Sequence, residues 1–443
     1  MAEKIPSDRE LKNKKIKESI KETKARHASM DLSVVELKLD LKCLNKTERS
    51  KLCSYVIESK WLRNYLLGLS EGEAEKHESR SREIYSLDKD RNRVPRTLTM
   101  PAKLMQDVEK RLKNDKKSLV GKKRKGGKIG KLKFCSQYSS ITLNQYGNTH
   151  WICYGPEGNE QGRYKNTVHV VGIKRPIRVF GMHQIPEAAE LGEAKLVGKP
   201  SGIYLMFECF TPRSDKDTAE DTDSDRLLEA VGIDLGIKTT ITTSDGKKYD
   251  ISIRETERLK GLQKKLARQV KHSKGWYDTK KRIQREYERI TNRRKDAANK
   301  TFSEIQKGKD IIVIQDDSIA GWHKGFFGKD VQNSCLGTLK AKFKADSRTM
   351  VIGQFFPSTA VCPICGHKHD GMKLGVERFA CPHCGYCEER DTKAAITTLL
   401  AGEIEHSSTH AGHMRTPVEL TSDFRSFYEG WKQSAGKPEA ITL

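Results

Sequence analysis

Leu227-Leu228-Glu229-Ala230-Val231-Gly232-Ile233-Asp234-Leu235-Gly236 is an apolar run that closes on one acid and a glycine. Hydrophobicity this continuous predicts a strand covered on both faces, the kind found in parallel or mixed sheets packed between helices. The residues after it, IKTTITTSDGKKYDI (237–251), predict a second strand with a turn at Ser244-Asp245-Gly246. Asp310-Ile311-Ile312-Val313-Ile314-Gln315-Asp316-Asp317 repeats the theme as a buried strand tipped by carboxylates, and MVIGQFF (350–356) adds another. Between them, residues 255–305 read as a helical hairpin. One stripe is Leu259, Leu262, Leu266 and Val270; a break falls at His272-Ser273-Lys274-Gly275; the return stripe is Ile283, Tyr287 and Ile290. The fold class is α/β.

Two cysteine pairs follow, Cys362-Pro-Ile-Cys365 and Cys381-Pro-His-Cys384, with 15 residues between them. Each C-x2-C turn can aim two sulfurs at one tetrahedral ion, so Cys362, Cys365, Cys381 and Cys384 predict one structural zinc in a ribbon spanning about 358–389. Cys387, three residues on, is a spare thiol or a competing ligand. Zinc ribbons occur in many settings, so the ribbon says little about function alone. Arg390-Asp391-Thr392-Lys393-Ala394-Ala395 comes directly behind it and places an acid at the opening of a helix.

Three separated segments therefore end an apolar or metal-binding element with acid: Asp234, the Asp316-Asp317 pair, and Asp391. In an open sheet ligands collect at the carboxyl ends of strands, so these acids can converge. Crowded carboxylates suit two divalent ions about 4 Å apart, which activate water and stabilise a leaving oxygen in phosphodiester hydrolysis. Taken singly, an aspartate at a strand end is more often a terminus or a cap than a ligand.

The 443 residues carry a formal charge of +24, an excess that points to a polyanionic partner. Charge alone fits ribosomal or histone-like roles as well. Eleven cysteines, odd in number and irregular outside one cluster, argue against a secreted disulfide framework and for a reducing compartment. The amino terminus is too charged for a signal peptide, and no apolar run approaches the roughly 18 residues of a membrane span. The expectation is a soluble, cytoplasmic protein with no membrane partner.

Residues 1–30, rich in Lys, Glu and Ser, read as a frayed helix or a disordered basic arm. Val35, Leu37, Leu39 and Leu41 alternate as a strand, and KLCSYVIESKWLRNYLLG (51–68) has helical spacing. A second helix is expected from Pro101 to Leu112. Lys116–Lys133, glycine-interrupted and without apolar periodicity, reads as a solvated loop or a phosphate-contacting strap. Short β-rich segments from Phe134 to Cys209 suggest a small β-barrel, and 213–226 an acidic linker.

GIDLGIKTT, IIVIQDD with SIAGWHKG, PSTAVCPICG, CPHCGY and RDTKAA together resemble the split RuvC-like nuclease domain and zinc ribbon of transposon-encoded TnpB proteins. They resemble also the descendants of those proteins, the compact type V CRISPR effectors, especially subtype V-F, and the match runs over roughly 229–402. The resemblance implies a RuvC-like (RNase H-like) domain at 227–402 with a zinc-ribbon insertion and a 403–443 tail. Before it would lie a basic arm at 1–30, a wedge start and helical recognition region at 31–130, and a β-barrel wedge at 131–226.

By that resemblance Asp234 is the first catalytic acid and Asp391 the third. The second place, usually glutamate, falls on Asp317; Asp316 is the alternative. In extended backbone Gln315 and Asp317 share a face and Asp316 takes the other, which favours Asp317. The implied activity is RNA-guided DNA endonuclease with two magnesium ions, or manganese, in the prokaryotic cytoplasm. Guide RNA and target DNA, double- and single-stranded, are the implied partners, with one chain or a homodimer per guide left open. Lys122, Lys123, Arg124, Lys125, Lys128, Arg268, Arg282 and Arg285 are candidate backbone contacts. Arg390 would meet a scissile phosphate or pair with a neighbouring carboxylate. The alternatives are a nuclease-inactive RNA-guided DNA-binding repressor and, fitting the motif order less well, a DNA-joining transposase.

Overall fold

A computed structural model describes residues 8–70, 72–73, 81–87, 92–136, 138, 140–144, 146–147, 150–212, 227–369, 376–409 and 412–435. Two compact units divide the chain, Met1–Ala219 and Glu220–Leu443. The acidic linker expected at 213–226 and both extreme termini lie outside the described residues. No helix among the described residues is long and apolar enough to cross a membrane.

In the first unit, helix α1 (Asp8–Ala28) precedes strand β1 (Met30–Asp40), whose Val35, Leu37 and Leu39 point inward while Leu32 and Val34 stay exposed. Helix α2 (Lys46–Gly68) begins at Asn45, whose side chain accepts the Glu48 amide at 2.8 Å. After the hairpin β2 (Glu83–Leu87) and β3 (Arg93–Thr97) comes α3 (Ala102–Arg124). Then follow β4 (Ser140–Leu143), β5 (Trp151–Tyr154), β6 (Thr167–Val170), β7 (Ile177–Phe180), β8 (Glu190–Lys199) and β9 (Gly202–Pro212). The sheet is antiparallel throughout and runs β4-β8-β9-β1-β7-β6-β5. A lone bridge between Tyr146 and Trp151 leaves it nearly closed. Tyr55 of α2 and Leu104 of α3 share its core with Phe207 and Trp151.

Strand β1, within the 31–130 stretch, sits in the middle of the later strands' sheet. Lys116–Arg124 is helix and not loop: the apolar face of α3 nucleates a helix that Lys, Arg and Leu, all good helix formers, extend until Lys125-Gly126-Gly127. Of the two readings of the amino-terminal stretch, frayed helix or disordered arm, the helix is the one seen over Asp8–Ala28.

The second unit is built on β10 (Leu227–Leu235). Strands β11 (Ile241–Thr243) and β12 (Lys248–Tyr249) continue the sheet antiparallel on one side. On the other, β13 (Ile311–Gln315) and β14 (Thr349–Ile352) run parallel. Alternation sends Ala230, Ile311 and Val313 to one core and Val231, Ile233, Ile312 and Ile314 to another, which is why the strands read as continuously apolar.

Helices α4 (Glu257–Ala267) and α5 (Lys274–Gln306) form the expected hairpin around Leu259, Ile283 and Ile290. Val270 is 78% exposed in the break and Tyr287 is 44% exposed, so neither belongs to the stripes assigned to them. After α6 (Ile319–Lys324), α7 (Gly328–Asn333) and α8 (Leu336–Ala345), the hairpin β15 (Arg378–Ala380) and β16 (Cys387–Glu389) leads into α9 (Arg390–Ser407). The 403–443 tail is not a separate element. Helix α9 runs past 402, β17 (His413–Arg415) pairs with β10, and α10 (Ser422–Ala435) buries Phe424 and Tyr428 in the core beneath α9.

Candidate active site and metal centre

The cysteine ribbon is two matching knuckles. Gly366 and Gly385, at φ 64° and 78°, follow the second cysteine of each pair and donate back to the carbonyls of Cys362 and Cys381 at 3.1 and 3.0 Å. Cys362 and Cys381 in turn donate their amides to His367 and Tyr386. The four sulfurs lie within 4.8 Å of one another, with Cys362–Cys384 and Cys365–Cys381 each at 3.6 Å. Four thiols so gathered could hold a zinc ion in a closed tetrahedral site. Burial pushes the Cys362 thiol up; for Cys381 burial is outweighed by the amides of Cys384 and His383, which bring it down to about 7. Cys387 is exposed on β16 and outside the group.

The acids come from three elements. Asp234 is near the end of β10, Asp317 lies two residues beyond β13, and Asp391 sits in the first turn of α9. Burial and then the charges of Asp391 and Asp317 hold Asp234 well above the usual carboxylate range. Asp317 is pushed up to about 6, chiefly by burial. Three carboxylates, two of which oppose the charge of the third, are hard oxygen donors that could hold a divalent cation. Among the described residues the thiols, and not these acids, form the group drawn within 4.8 Å.

Asp316 is taken up by two lysines. Lys340 and then Lys344, the latter at 2.8 Å, hold its carboxyl below the usual range. Both aspartates line an open groove of about 420 Å³ with Lys340, Lys344 and Gln354. Arg390 donates from Nε and Nη2 to Asp391 Oδ1 at 3.0 and 2.9 Å, so the structure gives it the ion-pair role.

Lys122, Lys123, Arg124, Lys125 and Lys128 are exposed at and beyond the last turn of α3, and Arg268, Arg282 and Arg285 are exposed on the hairpin. Arg294, inside the same basic stretch, is used internally: it donates to the Ile253 carbonyl at 2.9 Å and to Asn333 at 2.6 Å. Sequence reasoning missed Lys393, fully buried on α9, and Ser358. The Ala394-Ala395-Ile396 run after Lys393 was the one signal, and it does not set Lys393 apart from a surface lysine.

Residues 216–321 match the OrfB_IS605 family model, described as "Probable transposase", and residues 337–398 match the model of the Cas12f1-like TNB domain. Over these two stretches the second unit is similar to both families. Among curated proteins, a "Putative RNA-guided DNA endonuclease" of Streptomyces pristinaespiralis is 29% identical over 182 residues, 39% of this chain and 45% of that one. The "Putative RNA-guided DNA endonuclease InsQ" of Escherichia coli K12 is 27% identical over 207 residues, 42% and 51% respectively. The chain thus spans about half the length of the curated relatives it matches. The cryo-EM structure of CasPhi-2 (Cas12j) bound to crRNA overlaps 82% of this chain and 97% of its own, at 10% identity and a TM-score of 0.43, too loose a likeness to place a residue. The first matched stretch contains Asp234 and Asp317, and the second contains Asp391 and all four knuckle cysteines.

Proposed function

We propose that the chain is an RNA-guided DNA endonuclease whose second unit is a RuvC-like, RNase H-like domain with a zinc-ribbon insertion. What supports this is that Asp234, Asp317 and Asp391 stand at the ends of elements packed on one another, β10 paired with β13 and α9 lying against Gly232 of β10, with the charges of Asp391 and Asp317 opposing that of Asp234. Asp234, Asp317 and Asp391 would hold magnesium, or manganese in its place. The ions supply activation of the attacking water and stabilisation of the leaving oxygen. Both bonds of Arg390 go to Oδ1 of Asp391, which fixes that carboxylate and leaves its other oxygen. Cys362, Cys365, Cys381 and Cys384 would hold one structural zinc.

The first unit and the basic outer face of the hairpin would take guide RNA and the RNA–DNA heteroduplex, with base pairing reading the target. Lys122, Lys123, Arg124, Lys125 and Lys128 are the proposed phosphate contacts there, with Arg268, Arg282 and Arg285 on the hairpin. The complex works in the cytoplasm on double- and single-stranded DNA, and its mass in solution distinguishes one chain from a homodimer per guide.

A guided repressor that binds without cutting is the second reading. It is favoured by the shorter acid at Asp317 and by the Arg390 clasp on Asp391. Sequencing RNA that co-purifies with the protein, then incubating that complex with matched DNA and magnesium, tests both. Cut DNA supports the endonuclease; stable binding without cutting in magnesium or manganese replaces it with the repressor.

A further inference from the structure

Lys393 lies two residues past Asp391 on α9 and is fully buried. A buried ammonium must bond all three of its protons. Here they go to the carbonyls of Ser358, Thr359 and Val361, the last immediately before Cys362. The same nitrogen stands 4.2 Å from the centre of the Phe379 ring, two residues before Cys381. One side chain of the acid-bearing helix thus binds the backbone that enters the first knuckle and packs on the side chain of a residue that enters the second.

Gln315 reaches the same segment from the strand side. It ends β13, two residues before Asp317. Its amide donates to the carbonyls of Gln354 and Phe356 at 2.9 and 2.8 Å, and its own carbonyl oxygen accepts the Ser358 hydroxyl at 2.8 Å. Gln315, Ser358 and Lys393 are all buried. A satisfied polar network costs more to bury than apolar packing, and what it adds is a fixed register between the parts it joins.

We propose that the zinc knuckles set the positions of Asp317 and Asp391 through this buried chain, Gln315 to Ser358 to Lys393, so that the three are positioning residues for the metal-binding acids. The proposal rests on the nuclease reading above. Loss of a zinc ligand would release segment 354–361, strip Lys393 of its carbonyls, and loosen the first turn of α9 and the end of β13 together. None of the three side chains needs to touch a nucleic acid for this.

The test is manganese affinity of the full-length protein, measured by titration calorimetry and by the electron spin resonance of free manganese. Cys384→Ser should weaken manganese binding by about tenfold, as should Lys393→Met. The double variant should be weaker than Lys393→Met by less than about twofold, because the connection is already cut. Ser358→Ala deletes one hydroxyl and carries the same comparison if Lys393→Met does not fold; its zinc content should be unchanged. Manganese binding that ignores Cys384→Ser, or effects that simply add in the double variants, overturns the proposal while leaving the nuclease reading intact. Wild-type protein with no manganese binding that depends on Asp234 overturns both.

Discussion

Gly232 on β10 meets the Ala395 carbonyl of α9 so closely that a Cβ there would stand 2.2 Å from the oxygen. Helix α9 therefore lies directly on the strand that carries Asp234, and the absence of a side chain is what allows it. Gly232→Ala should destabilise the second unit by about 3 kcal/mol, the upper end of overpacking costs, since backbone and not a flexible side chain is in the way. Urea unfolding checks this. A midpoint equal to that of the wild type would show that α9 shifts freely, and the acids would then lack a rigid platform.

Asp316 and Asp317 are neighbours with opposite environments, one clasped by two lysines and the other pushed towards its neutral form by burial. Asp317→Asn should abolish DNA cleavage. Asp316→Asn should leave it within about threefold, because exposed ion pairs contribute about 1 kcal/mol or less. Cleavage rates of the two variants on guide-matched DNA decide between them, and a dead Asp316→Asn beside an active Asp317→Asn would reverse the assignment.

Zinc content separates the cysteines. Cys381→Ser should lose stoichiometric zinc, and Cys387→Ser should keep it, since Cys387 is exposed outside the group of four sulfurs. Metal analysis of the two purified variants is sufficient, and retention by Cys381→Ser would break the four-thiolate site.

Salt dependence reports the basic surface. Replacing Lys122, Lys123 and Arg124 together with alanine should reduce the slope of log affinity against log salt for guide RNA by about 2, at roughly 0.7 for each phosphate no longer neutralised. Affinities across a salt series measure it, and an unchanged slope would place the RNA elsewhere.

Much of the second unit could be read in the chain because its signals are local. The runs ending in Asp234 and Gln315 are apolar on both faces, and that continuity marks strands with a helix layer on each side. The knuckle spacing is likewise self-contained. What escaped depends on distant partners. Nothing near β1 tells that it pairs with β7 and β9, almost 140 residues or more away. Lys393 looks like a surface lysine until the three carbonyls it binds are known, and Arg294 looks like its exposed neighbours until Ile253 and Asn333 are placed beside it. The stripe Phe424, Tyr428 and Trp431 had helical spacing and could have extended the core beyond 402.

The nuclease reading stands on Asp234, the acid whose charge the other two oppose. Cleavage and binding of guide-matched DNA by the RNA complex of Asp234→Ala, side by side with wild type in magnesium, put it at risk in one experiment. Cleavage should be lost while affinity for guide and target stays within about threefold, because the substitution removes a metal ligand and leaves the basic surfaces alone. Undiminished cutting by Asp234→Ala would contradict it.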